Sequence, residues 1–84
     1  MPTVLRIGPY RFFFFSNEND EPPHIHVRRD RGLAKFWLDP VGLAESSNFP
    51  AHELTSILRL VIENRAKLLA AWYEYFGLKP GLSS

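Results

Sequence analysis

The sequence predicts an α+β domain in which a small antiparallel sheet of three to four strands is followed by one long C-terminal helix packed on it. Short apolar and aromatic runs separated by turn residues fill the first half of the chain, and apolar residues recur every three or four positions in the second half. A length of 84 residues allows one domain. We therefore expect a single domain over residues 1–77 and a flexible tail over residues 78–84.

The composition excludes several classes of protein. Hydrophobic residues make up 45% of the chain, which is too many for a disordered protein, and the net charge of +1 indicates no particular partner. The absence of cysteine excludes disulfide scaffolds, zinc fingers and thiol catalysis. No apolar run approaches the ~20 residues that a membrane helix needs. The first residues also lack the pattern of a secretory signal, so we expect a cytoplasmic protein without membrane contact.

Two strands are predicted in the first sixteen residues. Residues 4–7 form a short strand closed by Gly8-Pro9, and residues 10–16 form a second strand rich in aromatic side chains. The four consecutive phenylalanines at 12–15 place large apolar groups on both faces of this strand, whereas a strand buried on one face would alternate. The second strand is therefore either covered on both sides or in contact with another chain. A polar, proline-rich loop follows over residues 17–23.

The third and fourth strands, residues 24–29 and 33–38, are predicted to form a hairpin through Asp30-Arg31-Gly32. A four-residue loop would pair Arg28 with Lys35 and His26 with Trp37. A type I turn with a bulge would instead pair Arg28 with Ala34 and exchange the faces of every neighbour. We favour the four-residue loop because it buries a complete apolar row.

The second half of the chain is predicted to be mainly helical. Residues 41–49 fit either a short strand or an irregular segment, and Pro50 suits the first position of a helix. Apolar spacing predicts one helix over residues 51–76, ended by Gly77. Such a helix would be ~39 Å long, whereas a domain of this size is about 30 Å across. It must therefore overhang, kink or pack on a second chain, and a homodimer is one of these alternatives.

A candidate site lies in the third strand, where His24, His26 and Arg28 alternate and would therefore form a row on one face. Cleavage of RNA needs a base, an acid and a cation for the phosphate. Histidine carries protons near neutral pH, and arginine binds phosphate with two parallel hydrogen bonds. This row therefore provides the candidate catalytic residues of a ribonuclease.

Three other interpretations of the same row are open. Nucleic-acid binding without catalysis would use Arg29, Arg31 and Lys35 together with Arg28, with Trp37 or Phe13 as a stacking partner. The two histidines would alternatively supply two nitrogen ligands to a metal, and the third ligand would come from elsewhere, with Asp20, Glu21 and His52 as the candidates. Finally, these histidines would be ordinary, half-exposed residues of a sheet.

Several motifs resemble a known family over nearly the whole chain. They are the Phe-rich second strand, Glu21-Pro22-Pro23-His24-Ile25-His26-Val27, Phe36-Trp37-Leu38-Asp39-Pro40, and the helical segment from His52-Glu53-Leu54 to Trp72. Together they resemble the bacterial family known as domain of unknown function 4160. The resemblance implies one half of a two-gene bacterial module, which suggests a toxin–antitoxin pair in which this chain is the toxin.

The leading hypothesis combines the resemblance with the histidine row. It describes a toxin-like protein that is an RNA endonuclease, with RNA and a small antitoxin-like protein as partners and no cofactor. The competing hypothesis is a non-catalytic module that binds protein or nucleic acid, and a weaker one is a metal-binding domain. Fold and gene-neighbourhood analogies are associations and carry no physical mechanism.

Overall fold

The computed structural model describes residues 3–15 and 20–77, which form one antiparallel sheet followed by two helices. The predicted tail over residues 78–84 lies outside the described residues, as do residues 16–19. The elements are β1 (Thr3–Ile7), β2 (Tyr10–Phe13), β3 (His24–Arg29), β4 (Gly32–Leu38), β5 (Val41–Ser47), α1 (Ala51–Glu63) and α2 (Arg65–Phe76). The α+β class with an antiparallel sheet is confirmed. The predictions of three to four strands and of one long helix were wrong, because the described residues form five strands and two helices.

The fifth strand is the segment that the sequence left ambiguous. Strand order in the sheet follows chain order, so β5 pairs with β4 and forms one edge. Gly42 and the serines at 46 and 47 have low strand propensity, and most β5 side chains are exposed or half-buried. Pairing with the buried strand β4 therefore stabilises β5 where local propensity does not.

The long helix is interrupted at Asn64, whose backbone angles (φ −110°, ψ 16°) are not helical. The carbonyl of Leu60 accepts two hydrogen bonds from Asn64, one from its backbone N–H at 3.0 Å and one from its side-chain amide at 2.9 Å, which close the last turn of α1. Arg65 then begins α2 and donates to the carbonyl of Leu38 at 2.8 Å and to Asp39 at 2.9 Å. Of the three alternatives given above for an overlong helix, the chain therefore adopts the kink, in the form of a break at Asn64 that keeps both helices on the sheet.

The helices pack on one face of the sheet, and the apolar alternation of the strands explains why. Fully or almost fully buried side chains fill this interface; they are Phe12, Phe14, Ile25, Val27, Ala34, Phe36, Leu38, Ile57, Val61, Leu68 and Trp72. Within the phenylalanine run, Phe12 and Phe14 belong to this core. Phe13 points to the opposite face and is also buried, against Phe15 and His26. The run is therefore covered on both sides of the sheet.

The β3–β4 hairpin differs from the predicted register by two residues. Arg28 pairs with Leu33 and His26 pairs with Lys35, so the loop has two residues, Asp30 and Arg31. Asp30 adopts a positive φ of 55°, which a two-residue hairpin requires at its first loop position. A shift of two residues keeps every side chain on its predicted face, because side chains alternate with a period of two.

Candidate nucleic-acid interface

The sheet surface opposite the helices, here called the outer face, brings together most of the predicted site residues. His24, His26 and Arg28 alternate along β3 and share this face with their partners on β4. His26 lies opposite Lys35, and His24 lies opposite Trp37. Register therefore assembles two histidines, two cations and one tryptophan from two neighbouring strands.

His24 is completely buried at one end of the outer face. Its ring centre lies 4.8 Å from the Trp72 ring and 5.8 Å from the Trp37 ring. Its Nδ1 lies 2.9 Å from the Pro22 carbonyl, which can only accept a hydrogen bond, so Nδ1 carries the hydrogen. Transfer of a proton from this ring to a substrate on the surface would require these aromatic neighbours to move.

His26 is nearly buried, with 7% of its surface exposed. Its ring stacks on Phe13 at 5.5 Å and meets Phe15 edge-on at 4.7 Å. The His26 side chain also lines a cleft of about 190 Å³ between β3, β4 and β5, together with Lys35 and Glu45. Of the two histidines, His26 is therefore the one that borders an open space.

Lys35 is held in place by two neighbours. Its Nζ donates a hydrogen bond to Glu21 at 2.7 Å and lies 4.7 Å above the centre of the Trp37 ring. The Lys35 side chain is only 12% exposed, and Trp37 is half-buried. The ammonium group is thus oriented over the aromatic ring at the surface of the sheet.

Arg28 is exposed and stands in a row with two arginines that sequence reasoning missed. Arg6 lies opposite Arg11 across β1 and β2, and Arg11 lies opposite Arg28 across β2 and β3. Arg11 donates from Nε to the Thr3 hydroxyl at 2.9 Å, and its guanidinium lies 4.8 Å above the Phe13 ring. These arginines are 5 and 17 positions apart in the chain, so only strand pairing reveals that they are neighbours.

Two of the predicted nucleic-acid contacts do not join this group. Arg29 points to the helix side and forms a two-pronged ion pair with Glu53 at 2.6 and 2.8 Å. Arg31 is exposed in the hairpin loop, where its carbonyl accepts a hydrogen bond from Asn48 at 3.1 Å. Arg29 therefore attaches α1 to the sheet, and no local pattern indicates its partner, which lies 24 residues away.

Tyr10 completes the Arg29–Glu53 ion pair by donating a hydrogen bond to Glu53 at 2.7 Å. The hydrogen bonds from Arg29 and then from Tyr10 lower the pKa of Glu53. Burial, followed by the bond to the carboxylate, raises the pKa of Tyr10. Because the pKa of Glu53 is lowered by folding, this contact contributes its full stabilisation at pH values above the ordinary pKa of glutamate. The stabilisation is lost as the pH falls through the lowered pKa.

The metal interpretation depends on a third ligand near the two histidines. Within residues 3–15 and 20–77 there is no group of three histidine, aspartate or glutamate side chains placed to share an ion. Glu21 lies 3.7 Å from His24 but accepts a hydrogen bond from Lys35. His52 is exposed on the first turn of α1.

No helix among the described residues is both long and apolar enough to span a bilayer.

The fold places this protein among small α+β proteins whose open antiparallel sheet is covered by helices on one side. The other side of the sheet, the outer face, carries arginine and lysine side chains. The family model described as Domain of unknown function (DUF4160) matches residues 10–73. The chain therefore belongs to this family, as its motifs predicted. No curated protein and no solved structure matches the chain.

Proposed function

We propose that this protein binds single-stranded RNA on its outer face. The observation that carries the proposal is the grouping of His26, Arg28 and Lys35 beside Trp37 on the side of the sheet opposite the helices. Proteins that bind single strands combine a positive surface for the backbone with aromatic rings on which bases stack. The outer face supplies both, whereas the opposite face is filled by α1 and α2.

The binding proposal predicts that Trp37→Leu weakens RNA affinity. Loss of one base-stacking ring costs about 1–3 kcal/mol, which corresponds to a Kd about 5- to 150-fold higher. The measurement is fluorescence anisotropy of a labelled single-stranded 12-nucleotide RNA at fixed salt, with circular dichroism to confirm folding. Arg59→Gln is the matched control, because Arg59 is exposed on α1 and its loss removes one positive charge from the helix side. Equal weakening by both variants, or no binding by the wild type, would contradict the proposal.

RNA cleavage by a toxin-like protein is a second candidate function, favoured by the position of His26 on the cleft beside Lys35 and Glu45. In this reaction the 2′-hydroxyl oxygen attacks phosphorus and the bond to the 5′-oxygen breaks. A base takes the proton of the hydroxyl, and an acid protonates the leaving oxygen. The products are a 2′,3′-cyclic phosphate and a 5′-hydroxyl. His26 suits either proton transfer, and the exposed Arg28 suits the charge on the phosphate.

The cleavage proposal predicts that His26→Ala reduces the rate by about 10²- to 10⁴-fold, the usual contribution of a positioned acid or base. The wild type should arrest growth when expressed in a bacterial host, and the variant should not. Cleavage is followed with purified RNA on a gel, with detection of the cyclic phosphate end. His52→Ala is the control, because His52 is exposed on α1. Intact RNA after incubation with folded wild type would exclude cleavage and leave the binding proposal standing.

A further inference from the structure

The three arginines on the outer face form one continuous row across three strands. Arg6, Arg11 and Arg28 occupy directly opposed positions in β1, β2 and β3. Side chains opposed in this way have Cβ atoms about 4.5–5.5 Å apart. Three guanidinium groups therefore start from backbone positions that span only about 10 Å, since neighbouring strands lie about 4.8 Å apart.

No carboxylate among the described residues forms an ion pair with any arginine of this row. Arg11 contacts the Thr3 hydroxyl and the Phe13 ring, which hold its side chain against the sheet without removing its charge. The row continues into Leu33 on β4 and Ser47 on β5, both uncharged.

Among the described residues, three other cations are matched with acids, whereas Arg31, Arg59 and Lys67 are not; the row differs from these because its arginines stand directly opposite one another. Arg29 pairs with Glu53, Arg65 with Asp39 and Lys35 with Glu21. Like charges placed directly opposite each other destabilise a sheet, and salt and water screen only part of this repulsion. The unmatched row is thus a cost to folding that a ligand with regularly spaced negative charges would relieve.

We propose that Arg6, Arg11 and Arg28 form a track for consecutive phosphates of single-stranded RNA, which lies across β3, β2 and β1. This inference rests on the proposed RNA binding and adds the residues that hold the backbone and the path of the RNA strand across the sheet. The Arg28 end of the row is adjacent to His26 along β3, so the bases at that end reach the aromatic part of the outer face. Arginine suits this task because its planar fork matches the oxygens of a phosphate.

The test is the dependence of RNA affinity on salt concentration. Each phosphate contact in a single strand contributes about 0.7 to the slope of log K against log salt. We expect Arg6→Gln and Arg28→Gln each to reduce the slope by about 0.7, and the double variant by about twice that. Arg6→Lys and Arg28→Lys should retain the slope, since they retain the charge. Arg59→Gln, on the helix side, should leave it unchanged.

The outcomes separate this proposal from the function on which it rests. If the folded wild type does not bind RNA, the proposed function and the track both fail. If it binds but the Arg6→Gln and Arg28→Gln slopes equal that of the wild type, the track is wrong and RNA binding stands. A poly-glutamate chain of equal charge that binds as tightly, with the same slope, would indicate an acidic protein as partner and overturn the RNA track. Urea unfolding of each variant confirms that the exposed substitutions leave the fold intact.

Discussion

Replacing Trp72 by alanine is expected to remove a large part of the stability of this protein. The Trp72 ring is fully buried on α2, 4.2 Å from the ring centre of Phe76 and 5.5 Å from that of Phe14. Truncation of a buried aromatic to alanine costs about 3–5 kcal/mol. A chain of this length is stabilised by about 4–13 kcal/mol in total. Urea unfolding followed by circular dichroism should therefore show a midpoint shifted far downward, or a chain that is already unfolded.

Trp72→Phe is the matched control for this prediction. The indole nitrogen of Trp72 has no hydrogen-bond partner among the described residues, so phenylalanine loses volume without breaking a hydrogen bond there. We expect a distinctly smaller loss of unfolding free energy than for alanine. A loss below about 1 kcal/mol for Trp72→Ala would show that the contact between α2 and the sheet does not stabilise the fold.

A second large effect is expected for Gly32→Ala at the start of β4. A Cβ atom at Gly32 would lie 2.5–2.8 Å from three ring carbons of Phe49, which packs directly on the glycine. Phe49 is itself buried and lies two residues before α1, so its ring has little free space into which it can move. Overpacking of this kind costs about 1–3 kcal/mol. The measurement is the free energy of unfolding in urea.

Gly42→Ala provides the comparison on the neighbouring strand. A Cβ atom there meets no heavy atom within 4 Å, so the change should stay within about 0.5 kcal/mol. The double variant Gly32→Ala with Phe49→Leu should lose less unfolding free energy than the sum of the losses in the two single variants, because the two side chains compete for one space. Equal stability of the Gly32→Ala and Gly42→Ala variants would refute the proposed clash.

Local pattern was sufficient to predict which side chains share a face. The alternation of His24, His26 and Arg28 placed them correctly together, and the error of two residues in the hairpin register left that assignment intact. The number of elements was harder to predict. Strand β5 depends on pairing with β4 rather than on its own propensity, and the apolar spacing that predicts a helix continues past Asn64, where the helix breaks.

Accessibility and charge at the site depend on contacts between distant parts of the chain. His24 is buried in part by Trp72, 48 positions later, and Arg29 is neutralised by Glu53 on α1. The arginine row exists because β1, β2 and β3 pair in a particular register. Alternation along a strand is a local property of the backbone, so the sequence was enough to assign faces. Burial and ion pairing follow from which elements meet in space, and therefore only the folded structure shows that His24 is enclosed and that three arginines stand side by side.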